Sequence, residues 1–210
     1  MHPNPNFRKA TDETNIGFAR DRGFGILSVN ADIGPLISHV PFVLSKDGKT
    51  ADMHLLRSNP ITRILDQPTQ ALIAVSGPDS YISPDWYDAD DQVPTWNYVA
   101  VHLRGTLTKL PDDKLRASID GLAAEFEQRL LPKPIWSNDK MPADTLTKMM
   151  RMNVPFRFDV KTVDGTWKLG QNKPDEARIS AAKQVQAYDI GQETALLAAL
   201  MQAPKANARA

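Results

Sequence analysis

Cysteine is absent from this 210-residue chain, which excludes disulfides, thiolate metal sites and cysteine nucleophiles together. Net charge is absent as well, because 25 basic and 25 acidic residues give a formal charge of zero. Without a general positive field, nucleic acid can be attracted only by a local patch. Aromatic residues are scarce, at 7% of the chain. These absences favour a cytoplasmic protein that is not an autonomous DNA-binding protein.

The chain also lacks a long apolar run at its start. Residues 1–15 are polar and include two prolines, so we expect neither a signal peptide nor a membrane span. The length suits a single barrel or sandwich with added helices. We therefore expect one domain over residues 1–173 and a helical extension over residues 174–210 that packs on it.

Short apolar runs between turn signals predict a mainly β structure in the first two thirds of the chain. Residues 95–107 alternate with period two, which sets Trp96 and Tyr98 on one face and Asn97 and Val99 on the other. A sheet lined on both faces predicts a closed or nearly closed barrel. The predicted strands are residues 23–29, 35–44, 50–56, 70–76 (ending at Gly77-Pro78), 95–107 and 156–168, the last of which would close the barrel.

Two helices are predicted between the last two strands. Apolar residues at three- and four-residue spacing from Leu115 to Leu130 predict an amphipathic helix over residues 112–131, with Asp112 as its N-cap. Residues 142–152 predict a shorter helix. After Pro174 the chain is predicted to be helical again, with an interruption at Gly191.

Five of the eight Trp and Tyr residues lie between Tyr81 and Tyr98, in a stretch bracketed by prolines. Rings with a polar group, held beside a strand, suit a site for a flat, partly polar ligand or a partner surface. A structural cluster that fixes a long loop explains the same pattern, and composition favours it. The acidic residues 85–91 lack the spacing and terminal glutamate of a calcium-binding loop, so we expect an exposed turn.

Residues 54–60 place a fixed cation, a hydroxyl and an amide at the end of a predicted strand. Arg57 can bind two phosphate oxygens, while Ser58, Asn59 and free backbone amides donate to the others. Asn59 before Pro60 is also typical of a helix cap, which needs no ligand. The segment therefore predicts a phosphate site or an ordinary helix start, and Arg57 is the residue that favours the first.

Histidine and lysine provide the remaining candidates. The four histidines, all in the predicted barrel, lack an adjacent carboxylate–histidine motif, so we assign no metal. A lone strand histidine such as His39 is more often a satisfied or surface group than a catalytic one. Lys168, Gln171 and Asn172 supply donors for a ring carbonyl or a phosphate. The alternative is a polar connection in which Asn172 caps the next helix.

In this order, the segments resemble the PaiB-type family of FMN-binding negative transcriptional regulators. The resemblance extends from the N-terminus to about Val185, and its most specific motifs are Val-Pro-Thr-Trp-Asn-Tyr at 93–98 and Lys-Leu-x-Gln-Asn at 168–172. The other matching segments are Met1-His2-Pro3, Ser38-His39-Val40-Pro41-Phe42, residues 54–60, Gly77-Pro78, Tyr81-Ile82-Ser83-Pro84, Trp86-Tyr87 and Val101-His102.

The resemblance implies a mainly β fold with α additions: a split β-barrel of the FMN-binding, pyridoxamine-phosphate-oxidase-like type with peripheral and C-terminal helices. It implies a homodimer, with FMN as cofactor at the subunit interface. The phosphate would lie at Arg57 and Ser58, and the ring or ribityl chain near Trp96 and Asn97. The implied cofactor-binding residues are Ser38, His39, Val40, His54, Arg57, Ser58, Asn59, Trp96, Asn97, Lys168, Gln171 and Asn172.

The function implied by the resemblance is negative regulation of transcription. Because the chain has no helix-turn-helix signature and no basic helix, we expect indirect regulation, or a flavin-linked sensor, with weak DNA contact if any. The alternative is an enzyme of the same fold: a flavin-dependent oxidoreductase, or a haem-handling protein in which His39 or His54 contacts substrate or iron. No residue pattern identifies a turnover mechanism, so catalytic residues stay unassigned.

Overall fold

The computed structural model describes residues 1–88, 90 and 92–204, which form two compact units. The terminal unit contains Met1–Asn15, Ser76–His102 and the described part of Asp164–Ala210. The central unit contains Ile16–Val75 and Leu103–Val163. Asp91, in the predicted acidic turn, and residues 205–210 of the predicted C-terminal extension lie outside the described residues.

The strands are β1 (Phe24–Val29), β2 (Leu36–Pro41), β3 (Val43–Leu44), β4 (Thr50–Leu56), β5 (Thr69–Ile82), β6 (Thr95–Lys109), β7 (Asn153–Lys168) and β8 (Gly191–Gln192). In the central unit they follow the order β2-β1-β5-β6-β7-β4-β3. There, β1 pairs antiparallel with β2 and β5, and β4 pairs antiparallel with β3 and β7. In the terminal unit β8 pairs with β5.

The predicted alternation is confirmed by burial. On β6 the side chains of Asn97, Val99, Val101 and Leu103 are buried, while those between them are more exposed. On β4 and β7 of the central unit, the inward-facing pairs are Ala51 with Phe158, Met53 with Phe156 and Leu55 with Val154. Each large apolar side chain removed from water in this way contributes about 1.5–3 kcal/mol.

The α-helices are α1 (Asp12–Arg22), α2 (Pro60–Ile64), α3 (Leu115–Gln128), α4 (Ala143–Arg151), α5 (Asp175–Tyr188) and α6 (Thr194–Gln202). The sequence patterns did not predict α1, although Thr11 accepts from the N–H of Thr14 and acidic residues occupy its first turn. Both features are typical of a helix start. Within residues 1–88, 90 and 92–204, no helix combines the length and apolarity needed to cross a bilayer.

The predicted end of the fourth strand at Gly77-Pro78 is wrong, because β5 continues to Ile82. β1 pairs with Ala71–Ala74 and β8 pairs with Asp79 and Ser80. Pro78 therefore lies between the part of β5 that pairs with β1 and the part that pairs with β8, so neither of these two pairings uses its missing N–H.

Two other predicted boundaries also differ. The extended stretch 35–44 is divided at Phe42, whose N–H donates to the Gly23 carbonyl at 2.8 Å. The helix predicted over 112–131 is a 3-10 turn, Asp112–Lys114, followed by α3, which ends at Gln128. Asp112 is therefore not the N-cap, and Leu130, whose side chain is 51% exposed, lies beyond the helix.

Candidate functional site

Arg57, at the end of β4 in the central unit, binds the carboxyl end of α4. Its N–H donates to the Met152 carbonyl at 2.7 Å, and its Nε and Nη2 donate to the carbonyls of Arg151 and Asn153 at 3.1 and 3.2 Å. These carbonyls lie at and just beyond the last turn of the helix, where no intrahelical N–H group is available to donate to them. Arg57 thus has a structural role that sequence reasoning did not anticipate.

A cavity of about 560 Å³ adjoins Arg57, but its charge is mixed. Asp112 lies 3.5 Å from the Arg57 guanidinium and lines the same cavity. A carboxylate there offsets part of the positive charge that a phosphate would require. The lining residues are Arg57, Asp112, Leu115, Thr147, Met150 and Arg151.

Asn59 and Ser38 are brought together in the central unit. Asn59 Nδ2 donates to Ser38 Oγ at 2.6 Å, and its Oδ1 accepts from the Ile61 N–H at 2.9 Å. Asn59 is therefore the N-cap of α2, with Pro60 at the first helical position. The helix-cap interpretation is confirmed. Ser58 is exposed beside it.

The other predicted residues of the central unit lie on β2 and β4. Val40 is 1% exposed and pairs with Gly25 of β1, so it offers a ligand almost no surface. His39 is exposed and stacks on Phe24, with 6.4 Å between ring centroids. His54 is partly buried, and burial lowers its pKa. Among the described residues, its Nδ1 has no hydrogen-bond partner.

The aromatic run of the terminal unit forms a series of ring contacts. Trp96 meets Tyr81 edge-on at 6.3 Å between centroids, and Tyr81 meets Trp86 at 6.2 Å. Trp86 then stacks on Tyr188 of α5 at 5.3 Å. These contacts are those that the structural interpretation predicts, while Trp96 and Tyr188 stay 48% and 62% exposed.

Two of the predicted cofactor-binding amides, Asn97 and Gln171, form hydrogen bonds within the terminal unit. Asn97 is 1% exposed, donates to Met201 Sδ at 3.6 Å and hydrogen-bonds Tyr87. Burial raises the pKa of Tyr87, and the bond to Asn97 opposes that rise. Gln171 accepts from the Leu169 N–H at 2.8 Å and donates to the Trp167 carbonyl at 2.5 Å. Both amides are thus largely engaged by the protein itself.

A second cavity, of about 220 Å³ and within the terminal unit, brings together Asn97, Lys168 and Asn172. Lys168 Nζ donates to Thr95 Oγ1 and to the Trp96 carbonyl. Asn172 does not cap α5, which begins at Asp175 after Pro174. The lining residues are Asn4, Phe7, Tyr87, Gln92, Val93, Thr95, Asn97, Lys168, Gly170, Asn172 and Lys173.

Lys173 is a cavity residue that the candidate set missed. Its Nζ donates to Gln92 Oε1 and lies 5.5 Å from the centroid of the Tyr87 ring. Burial, and then the nearby charge of Lys173, lower the pKa of Lys168. The signal was present in the sequence, since Lys173 ends the same Lys-Leu-Gly-Gln-Asn-Lys run that begins at Lys168.

The donor set of this cavity fits FMN at its polar end. Ammonium, carboxamide and hydroxyl groups are the donors that phosphate and ribityl oxygens accept. In the part of the chain that the structure describes, no group of three or more His, Asp or Glu residues could hold a metal. The site therefore offers polar groups that can bind a ligand, and most of them are hydrogen-bond donors.

The fold and these donors define a protein of the flavin-binding split-barrel class. The predicted fold is confirmed by similarity to the FAD and haem binding protein from Mycobacterium smegmatis, with a TM-score of 0.56 and 16% identity over 87% of this chain and 80% of that one. The flavocytochrome Anf3 from Azotobacter vinelandii is similar at a TM-score of 0.50 and 16% identity, over 75% and 68% of the two chains.

The particular family is given by the sequence. Residues 1–162 match the model of the family described as "Putative FMN-binding domain", and the chain belongs to that family. The match confirms FMN as the predicted cofactor. The chain is 28% identical over 185 residues to the protease synthase and sporulation protein PAI 2 of Bacillus subtilis, covering 87% of this chain and 88% of the relative. It is also 24% identical to an uncharacterized protein of Aspergillus fumigatus, over 73% and 78% of the two chains.

Proposed function

We propose that this protein is an FMN-binding regulator or sensor that affects transcription indirectly. The observation that carries the proposal is the donor set of the terminal-unit cavity, in which cations and neutral amides predominate. Such groups bind and orient a flavin, and the flavin itself supplies any redox chemistry. The name of the similar Bacillus subtilis protein, which links it to protease synthesis and sporulation, supports a regulatory role.

Indirect action is supported by charge. The chain has a formal net charge of zero, and a direct operator-binding protein needs a positive surface to neutralise phosphates. The absence of cysteine supports a cytoplasmic location, where structural disulfides are rare.

A homodimer is supported by apolar side chains of the central unit. Six large apolar residues between positions 130 and 152 are 37–62% exposed, and α4 buries none of its residues fully. Several large apolar side chains exposed within one stretch of the chain are typical of an interaction surface, and homo-oligomers are the commonest assemblies. The six residues are Leu130, Leu131, Ile135, Trp136, Met149 and Met152.

The dimer is tested by light scattering after gel filtration. Wild type is expected to elute as a dimer at micromolar concentration, and Met149→Glu is expected to shift it towards monomer. Lys148→Glu, a neighbouring change on the same helix, is the matched control and should remain dimeric. A monomeric wild type would contradict the proposal.

The test of the flavin function is the visible spectrum of protein purified without added cofactor, followed by titration with FMN. A flavin band, or quenching of FMN fluorescence with thermal stabilisation, is expected. No quenching and no stabilisation at FMN well above micromolar would contradict the proposal. Oxidation of NAD(P)H faster than with free FMN would instead favour the oxidoreductase.

Haem is the second candidate, and one observation favours it: the Nδ1 of His54 has no partner among the described residues. An imidazole nitrogen without a partner is a potential iron ligand, but this one is buried, so the ring would have to turn to present it to iron. Haem titration should then give a Soret band that shifts in His54→Ala and is unchanged in His2→Ala. An unshifted band in His54→Ala would remove this candidate.

A further inference from the structure

We propose that the terminal-unit cavity binds a phosphate dianion between Lys168 and Lys173, either as the free ion or as the end of a phosphomonoester such as FMN. In its FMN form the inference rests on the proposed function, and in its free-ion form it does not. Both lysines lie beyond residues 1–162, the part of the chain that matches the family model.

The positive charges of Lys168 and Lys173 are uncompensated by any acidic residue that lines the cavity, among the described residues. Lys168 Nζ is held by the Thr95 hydroxyl and the Trp96 carbonyl, and Lys173 Nζ by the Gln92 amide oxygen. All three partners are neutral, and no carboxylate lines the cavity among the described residues. Two cations that face one cavity without a counter-ion repel each other, and an anion between them removes that repulsion.

Aromatic rings position both ammonium groups. The ammonium group of Lys168 lies 5.9 Å from the centroid of the Phe7 ring, and that of Lys173 lies 5.5 Å from the centroid of the Tyr87 ring. Phe7 and Tyr87 are themselves buried, at 4% and 3% exposure. An aromatic face attracts a cation without neutralising it. The two lysines are thus held in place while their N–H groups not used by Thr95, Trp96 and Gln92 are available to a ligand.

The size of the cavity also suits a phosphate group. A cavity of about 220 Å³ is smaller than the 300–1,000 Å³ or so that holds a whole drug-sized ligand. It suits a phosphate group with its first ester carbons, while the flavin ring would lie outside it. The exposed Asn172 side chain on the cavity wall adds a neutral donor for such an ester.

Arg57 is a poorer phosphate site by the same criteria. Its Nε and Nη2 are used by carbonyl oxygens, and the carboxylate of Asp112 shares its cavity. A phosphate there would have to compete with three existing acceptors. The phosphate predicted for Arg57 is therefore reassigned by this proposal to the lysine pair.

The experiment compares FMN with riboflavin, which lacks the phosphate, by flavin-fluorescence titration of the full chain. Wild type should bind FMN at least about tenfold more tightly than riboflavin, which is the effect of one charge-assisted contact. Lys173→Gln and Lys168→Gln should lose that preference. Lys183→Gln, which removes an exposed charge from α5, is the matched control and should keep it.

Each outcome of the titrations either supports or overturns the lysine-pair site. Loss of the preference in Lys173→Gln but not in Lys183→Gln supports the site, and equal affinity of wild type for FMN and riboflavin overturns it. Loss in Arg57→Gln with retention in Lys173→Gln also overturns it, and returns the phosphate to β4. If Lys168→Gln does not fold, Lys173→Gln decides alone, because among the described residues its ammonium donates a hydrogen bond only to Gln92.

A flavin-independent arm separates this inference from the proposed function. If wild type binds neither flavin, the proposed function fails, and the protein is titrated with inorganic phosphate at constant ionic strength, with chloride as reference. Thermal stabilisation by phosphate that disappears in Lys173→Gln then supports the anion site without a flavin. No difference between phosphate and chloride overturns it.

Discussion

Arg57 Nε donates to the main-chain oxygen of Arg151 at 3.1 Å, so a cation from the end of β4 caps the last turn of α4. The carboxyl end of a helix carries a partial negative charge and unsatisfied carbonyls. A guanidinium supplies both the charge and the donors. The bond therefore joins two segments 94 residues apart in the sequence.

Arg57→Ala should lower the free energy of unfolding by about 1–2 kcal/mol, because α4 loses its capping donors. The melting temperature should fall by roughly 2–8 °C, measured by circular dichroism. Arg63→Ala, an exposed arginine on α2, is the control and should change it little. Loss of FMN affinity in Arg57→Ala without any loss of stability would contradict the capping role.

Asn97→Ala should destabilise the terminal unit by about 1–3 kcal/mol, because the buried hydroxyl of Tyr87 loses its partner. Urea unfolding measures the change. The pKa of Tyr87 should rise further, since the bond to Asn97 opposes the effect of burial. Asn172→Ala, at an exposed amide, should leave stability within about 0.5 kcal/mol of wild type. Equal changes in the free energy of unfolding for the two variants would contradict a stabilising role of Asn97.

Gly105→Ala should prevent folding or cost about 3 kcal/mol or more. A Cβ at position 105 would lie 2.0 Å from the carbonyl oxygen of Asp159 on β7. Because that oxygen belongs to the main chain, it cannot easily move away. Gly121→Ala is the control, because nothing lies within 4 Å of its Cβ. In the middle of α3 it should stabilise by about 0.5–1 kcal/mol. Denaturant titration of both variants measures whether each change lowers or raises the free energy of unfolding.

Stability should fall on acidification through the titration of His54. Burial lowers the pKa of His54 below its usual 6.5, so the folded state resists protonation. The resulting penalty is fully present below the folded pKa and vanishes above 6.5. His54→Gln should therefore flatten the dependence of melting temperature on pH below 6.5. An unchanged slope in His54→Gln would contradict this assignment.

The sheet could be predicted from the sequence because its strands alternate clearly. Residues 95–107 show a strict inside-outside pattern, and the structure places β6 there. Gly77-Pro78 misled the prediction, since local turn chemistry indicates a break while pairing on either side keeps the strand extended. The short β8 has no periodicity at all, so only its partner on β5 defines it.

The candidate site was predictable only in part. The motif around Lys168 identified Asn172, and the cavity contains both. Arg57 was chosen for its chemistry, but its partners come from residues 112 and 151–153, which no local pattern connects to β4. The position of the Lys173 ammonium likewise depends on Gln92 and Tyr87, which no local sequence pattern connects to it. Residue type indicates what a side chain can bind, whereas long-range packing decides what it does bind.

The pairing of Gly191 and Gln192 with β5 means that the C-terminal segment shields an otherwise open strand edge. Such edges recruit strands from other molecules, so their cover opposes aggregation. Gly191 lies so close to Asp79 that a Cβ there would be 2.2 Å from the Asp79 carbonyl oxygen. A side chain at that position would therefore separate Gly191 and Gln192 from β5 and uncover this part of the strand.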